Sequence, residues 1–299
     1  MAFKQKVAKL TGIDARLIPS SYQIIGDIML MKFPKIKSGE KKRKIAEAAV
    51  KILPYVKTVC EIREVSGKFR EPVVNVLLGT RTETIHTENG IKYKLDVSKV
   101  MFSKGNVNER KRIIPMVVEG ENIVDMFAGI GYFSLGLSKF TKAREILAVE
   151  KNPVAYSYFA ENIMLNNASN INAMQGDCAI AAGSINSYAD RIVMGYFAGG
   201  KFSAESQKAG HFDDFPGTEE FLKYELMMAR SPCTIHFHNI YRAKELWAGP
   251  LQHIEEACKK AGFAFKIVTK KKVKSYAPGV WHIVIDFVVS KTAEGKAEQ

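Results

Sequence analysis

The chain is short of acid, of cysteine pairs and of long apolar runs, and each shortage excludes something. Its 31 aspartates and glutamates stand against 44 lysines and arginines, a formal net charge of +13. A small-metabolite enzyme has no need of that excess, whereas a polyphosphate partner such as nucleic acid does. The four cysteines (Cys60, Cys178, Cys233, Cys258) contain no CxxC pair. A zinc site and a disulfide framework are therefore not expected, and no metal is assigned. No run of about 18 apolar residues occurs, so no membrane-spanning helix is expected. The first residues, MAFKQKVAKL, lack a signal-peptide apolar core. The reading is a soluble cytoplasmic protein with no membrane partner and no obligate protein partner.

What is present is clustered. KIKSGEKKRK holds Lys35, Lys37, Lys41, Lys42, Arg43 and Lys44, and TKKKVK adds Lys270, Lys271, Lys272 and Lys274. Lys41, Lys42, Arg43, Lys44, Lys270, Lys271 and Lys272 are the candidates to grip RNA phosphates; a merely lysine-rich surface would be less bunched.

Along the chain, two patterns follow one another. In the first hundred residues, YQIIGDIMLMKF and VVNVLLG read as strands, and KKRKIAEAAVKILPYV as an amphipathic helix. TIHTENGIKYKLDV reads as a hairpin turning at Asn89-Gly90. This is a small α/β domain over 1–97. Over 98–299 the apolar runs are NIVDMF, EILAVE, NINAMQGD, RIVMGYF, CTIHFHN, FAFKIVT and WHIVIDFVVS, most of them separated by helical patterns. Strands buried on both faces and followed by helices predict a doubly wound α/β sheet. The last two runs are too close for a crossover and should form an antiparallel hairpin at one edge. Seven strands with that ending are the pattern of the Rossmann-like S-adenosylmethionine-dependent transferase fold.

The cofactor motif is defined partly by a missing residue. VDMFAGIGYFS puts Asp125 near the end of the first strand of this sheet, with Gly129 and Gly131 in the turn. A dinucleotide fingerprint needs a third glycine where Ser134 stands, which counts against a pyrophosphate-bearing ligand. Glu150 closes the next strand, where a carboxylate accepts from ribose hydroxyls, and Asp177 closes the third, placed to accept from an adenine amino group. Without a ligand, Glu150 and Asp177 would be loop or helix-capping carboxylates. Three acidic strand ends in a row fit adenosine without phosphates.

MFSKGNVNERKRI, VDMFAGIGYFS, AVEKNPVAYSYFAENIMLNN and VKSYAPGVWHIVIDF together resemble the archaeal and eukaryotic tRNA guanosine-37 N1-methyltransferases and their wybutosine-pathway relatives. The resemblance runs from LIPSSYQIIGDI to Asp286. It implies S-adenosylmethionine as co-substrate and the anticodon loop of tRNA(Phe) as partner. It adds Ser103 and Arg110, with Arg110 paired to the methionine carboxylate, and Cys178 from the sheet. With Asp125, Phe127, Ala128, Gly129, Gly131, Glu150, Lys151, Asp177 and Gly195 these make the expected cofactor set.

One loop separates the branches of that family. Its methyltransferases carry an Asn-Leu-Pro or Asn-Pro-Pro loop after the fourth strand; here the asparagine position is Met194 and no proline follows. The Met194-Gly195-Tyr196 version resembles the 3-amino-3-carboxypropyl transferases acting on C7 of 4-demethylwyosine at position 37, which release methylthioadenosine. The loop offers no strong base, nucleophile or metal ligand. Tyr196 and Asn239 are the candidates to touch the base, with Gly195 making room and Tyr196 or Phe197 stacking on it. His236 and His238 alternate along one strand and are read as structural or lining groups. The alternatives are a position-37 methyltransferase, on guanine N1 or the tricyclic base, and a non-catalytic tRNA-binding relative.

Overall fold

A computed structural model describes residues 1–66, 71–102, 106–195 and 218–292. The chain divides into two units, residues 1–103 and 104–299.

In the first unit, helix α1 (Phe3–Thr11) precedes β1 (Tyr22–Ile25) and β2 (Ile28–Met31); α2 (Gly39–Ile52) then leads to β3 (Thr58–Ser66) and β4 (Glu71–Leu78). The sheet order is β1-β2-β3-β4, with β2 and β3 parallel across α2. Helix α2 begins where the Ser38 side chain accepts from the Lys41 N–H at 3.3 Å. Its apolar stripe, Ile45, Ala46, Ala48 and Ala49, packs with Val7 of α1 onto Met29, Met31 and Val59 of the sheet. A separate hairpin, β5 (Glu83–Glu88) and β6 (Ile91–Asp96), turns at Asn89 (φ 53°) and Gly90 (φ 78°), the two left-handed residues its sequence called for.

Two readings of this unit need correction. YQIIGDIMLMKF is not one strand but two, folded at Gly26-Asp27. Gly26 has φ 56°, and a Cβ there would lie 2.1 Å from Thr84 Oγ1. Strand β3 was not anticipated because TVCEIREVS interrupts its apolar alternation with charge.

The second unit runs α3 (Val107–Ile113), β7 (Asn122–Asp125), α4 (Ser134–Phe140), β8 (Glu145–Glu150), α5 (Pro153–Leu165), β9 (Ile171–Gln175), α6 (Cys178–Ala181) and β10 (Ala189–Met194). It continues with α7 (Leu222–Met228), β11 (Ala229–Arg242), α8 (Ala248–Lys260), β12 (Phe263–Ala277) and β13 (Val280–Lys291). Among the described residues seven strands form one sheet in the order β12-β13-β11-β10-β7-β8-β9. Strands β7 to β11 are mutually parallel, and β13 is antiparallel to β11 and β12. All seven apolar runs contribute strands, RIVMGYF as far as Met194, and the last two make the edge hairpin. The chain steps outward from β7 to β9, then returns to β10 on the other side of β7. That reversal is the switch point at which open α/β sheets bind ligands.

The two faces are packed differently. One face buries Ile192, Ile235, Phe237, Ile283, Ile285 and Phe287 against α6, α7 and α8. On the other, Ile123, Ile146 and Val193 meet Ile113 of α3, Leu137 of α4 and Phe133 just before it.

Candidate active site

The turn after β7 is built by its glycines. Gly129 and Gly131 have φ 59° and 95°, and a Cβ on Gly131 would press on Leu135 and Phe159 at 2.7 and 2.8 Å. Ser134, standing in place of a third glycine, donates its hydroxyl to Asp125 Oδ2 at 2.6 Å. Asp125 Oδ1 accepts from the Phe127 N–H, and the side chain is fully buried. Burial pushes its carboxyl up to about 6, against the pull of the Ser134 hydrogen bond. Asp125 therefore fixes the turn from beneath.

Glu150 ties the neighbouring strand end to that turn. Its Oε2 accepts from the Gly129 N–H and its Oε1 from the Asn152 N–H, both at 2.7 Å. Each carboxylate oxygen has a second lone pair, which fits a pair of ribose hydroxyls. Burial raises its pKa. Asn152 then caps α5, accepting from the Val154 N–H at 2.9 Å ahead of Pro153 at the first helical position. At the end of β9, Asp177 caps α6 through the Ala179 N–H at 2.9 Å, and its other oxygen pairs with Lys151. Cys178 follows, buried, its thiol pushed by burial up to about 12. Ala128 is fully buried in the turn, and the Phe127 ring meets Phe221 edge-on at 5.1 Å.

The expected residues Asp125, Phe127, Ala128, Gly129, Gly131, Glu150, Lys151, Asp177 and Cys178 thus gather at the carboxyl ends of three adjacent strands. Arg110 of α3 joins them: it is buried, with its guanidinium 5.7 Å from the centre of the Tyr132 ring in the same turn. Gly195 follows β10, next to β7, and a Cβ there would lie 2.6 Å from the Phe133 ring. Ser103, Tyr196 and Phe197 lie outside the described residues. The turn leaves no cradle for a pyrophosphate, because its third glycine is Ser134 and carboxylates flank it. A nucleoside without phosphates fits.

Comparison with known proteins agrees with this geometry. Residues 84–209 match the TRM5/TYW2 methyltransferase domain and residues 8–82 the TYW2 N-terminal domain. The chain is similar to the tRNA(Phe) (4-demethylwyosine(37)-C(7)) aminocarboxypropyltransferase of Methanocaldococcus jannaschii, 37% identical over 89% of this chain and 96% of that one. The chain belongs to the TRM5/TYW2 family. Another member, the tRNA (guanine(37)-N(1))-methyltransferase Trm5b of Pyrococcus abyssi, is 34% identical over 92% of this chain and 76% of its own. The solved P. horikoshii TYW2 in complex with MeSAdo superposes with a TM-score of 0.79 at 33% identity, covering 97% of this chain and all of that one.

Within this TRM5/TYW2 frame, one expectation about β11 changes. Asn239 is not at a strand end. Pairing with the long β13 carries β11 on to Arg242, and the Asn239 amide donates to Glu219 Oε2 at 2.6 Å. His236 and His238 do share a face, as read, and both are buried. His238 Nδ1 lies 3.1 Å from His282 Nε2, and burial first of all lowers these two imidazoles to about 3 and 2. Among the described residues no group of three or more His, Cys, Asp or Glu is placed to hold a metal. No described helix is long and apolar enough to cross a membrane.

The basic clusters sort by exposure. Lys41 is exposed, Arg43 pairs with Glu47 and Lys44 with Glu40, while Lys42 turns inward onto the buried Glu61 at 2.6 Å. On β12, Lys270 and Lys272 are exposed, with their ammonium groups 5.8 and 4.9 Å from the rings of Trp247 and Trp281. Lys271 reaches the other way, to Glu109 of α3 at 2.9 Å.

That last contact opens onto a group in which Glu109, Arg112, Glu121, Arg191 and Asp286 were not singled out from the sequence. Glu109 Oε2 accepts from Arg112 Nε at 2.6 Å, and both Nη atoms of Arg112 engage the Asp286 carboxylate. Asp286 Oδ1 also meets His236 Nδ1 at 2.7 Å, and His236 Nε2 meets Arg191 Nη1 at 2.8 Å. Arg191 closes the chain on Glu121 at 2.7 Å. Burial alone would raise the Asp286 pKa, but hydrogen bonds from His236 and Arg112 outweigh it and hold the carboxyl down at about 2. A signal was there: Arg191, His236 and Asp286 each interrupt an apolar run destined for a buried strand, and a buried charge needs a partner.

Proposed function

We propose that this protein transfers the 3-amino-3-carboxypropyl group of S-adenosylmethionine to C7 of 4-demethylwyosine at position 37 of tRNA(Phe), releasing methylthioadenosine. The observation that carries the reading is the pairing of a phosphate-free nucleoside site with the end of β10, where Gly195 lies against Phe133 and no asparagine or proline is present. The M. jannaschii relative of that name, similar over nearly its whole length, supports it.

The co-substrate supplies a sulfonium bearing three carbons, each open to in-line attack. Glu150 and Asp177 would hold the adenosine, and Arg110 the methionine carboxylate as a charge-assisted contact. Which carbon faces the base then depends on where Arg110 draws the amino-acid arm. C7 of the electron-rich base attacks Cγ, the C–S bonding pair goes to sulfur, and the C7 proton is lost to water. Alignment of this kind is worth up to about 7–11 kcal/mol, so the loop needs no strong base. Stacking of the flat base on Tyr196 would add about 1–3 kcal/mol. An anticodon-loop base must leave its stack to reach the pocket. Lys41, Lys270 and Lys272 are the exposed cations of the two clusters that remain best placed to meet RNA phosphates. A cytoplasmic setting belongs to the same reading.

A methyltransferase on the same nucleotide is the second reading, favoured by the likeness to the Trm5b enzyme. The deciding experiment incubates the protein with tRNA bearing 4-demethylwyosine and with S-adenosylmethionine labelled either in the methyl or in the carboxyl group. Carboxyl label in RNA, with methylthioadenosine released, is the expected result; methyl label in RNA would replace this reading with the second.

A further inference from the structure

Helix α3 has only seven residues, too few to hold its place by backbone hydrogen bonding alone. Ile113 enters the apolar core, and Glu109 and Arg112 add charged contacts to β12 and β13. Arg112 is clamped between two carboxylates, Glu109 on its own helix and Asp286 on β13. Asp286 is in turn fixed by His236 on β11.

The hydrogen-bond order along this chain is determined. A guanidinium only donates, so His236 Nε2 accepts from Arg191. Nδ1 must then carry the proton and donate to Asp286, leaving His236 neutral and Asp286 ionised to receive Arg112. Every member has one role, and the chain ends two residues from Arg110.

We propose that Asp286, Arg112 and His236 act as positioning residues that set α3, and through it aim Arg110 at the methionine carboxylate of S-adenosylmethionine. The proposal rests on the reading of Arg110 given above. None of the three touches the co-substrate; they hold the residue that does. A bidentate guanidinium–carboxylate pair suits this task because it fixes rotation as well as distance.

The test compares two ligands by calorimetric titration. S-adenosylmethionine carries the amino-acid arm and methylthioadenosine does not. In Arg110→Gln and in Asp286→Asn, affinity for S-adenosylmethionine should fall roughly 10- to 100-fold, the range for one charged hydrogen-bonding contact. Methylthioadenosine should bind within about twofold of wild type in both, since its contacts are untouched. The double variant should be no weaker than Arg110→Gln alone, because the two changes remove the same contact. If Asp286→Asn leaves S-adenosylmethionine affinity unchanged, or weakens both ligands alike, the positioning role is wrong while the Arg110 reading stands. If Arg110→Gln itself shows no preference between the ligands, the Arg110 reading falls and the positioning role with it. Should Asp286→Asn fail to fold, Arg112→Lys, which keeps the charge but cannot bridge Glu109 and Asp286, is read by the same criteria.

Discussion

Two buried carboxylates lie on opposite faces of the catalytic sheet. Asp286, on the α3 face, is held by a guanidinium and an imidazole and stays ionised, its pKa near 2. Glu225, on α7 over the apolar face, is fully buried, and among the described residues neither of its oxygens has a hydrogen-bond partner. Desolvation drives its pKa well above the ordinary carboxylate value. Depth alone therefore does not decide whether an acid ionises; what surrounds it does. The face that carries α3 is organised by fixed charge, and the face under α6, α7 and α8 by apolar fit.

The comparison breaks first at Asp286. Asp286→Ala leaves His236 facing no carboxylate and Arg112 with Glu109 alone, and should cost about 3–5 kcal/mol in denaturant unfolding at pH 7. Since its folded pKa lies below the usual 3.8, this contribution is present above that pH and lost as pH falls toward 2. A loss under 1 kcal/mol would mean that this polar chain is not what anchors the face.

Glu225 should respond in the opposite sense. Glu225→Met should raise stability by about 1–4 kcal/mol at pH 8. Below the ordinary carboxyl value of 4.5 both folded and unfolded states are protonated, and the gain should shrink. Above it the unfolded chain ionises first, so the wild type weakens with rising pH and the variant does not. A pH-independent difference would show instead that only packing has changed.

A third carboxylate, Asp125, sharpens the contrast because its main side-chain partner is a single hydroxyl. Ser134→Ala should cost about 1–3 kcal/mol and lift the Asp125 pKa further above 6, readable by carboxyl NMR. The smallest effect belongs to the surface. Replacing Lys270 and Lys272 with alanine should reduce the slope of log affinity for tRNA against log salt by roughly 0.7–0.9 per lysine. Lys42→Ala should leave that slope alone and instead destabilise the first unit, since its ammonium is committed to Glu61.

Most of the second unit was legible in the sequence because its strands are buried on both faces and read as unbroken apolar runs. The carboxylates of the proposed nucleoside site were legible for the same reason: each stands at or just after the end of such a run. What could not be read was pairing across distance. Nothing local says that Asp286 meets Arg112, 174 positions away, or that Lys271, exposed like its neighbours, pairs with Glu109. The extent of β11 was missed because it is set by the length of β13, and the break at Gly26 because only its approach to Thr84 demands a glycine.

Strand β12 is the outermost of its sheet and fifteen residues long, so it presents an open ladder onto which another chain could add. Its register slips in three places, and Lys266, Lys270, Lys271 and Lys272 stand exposed along it. Bulges and lysines are what keep such a border from zipping to a second copy of itself. Stripping those charges would remove that guard and leave the border open to a second copy of the chain.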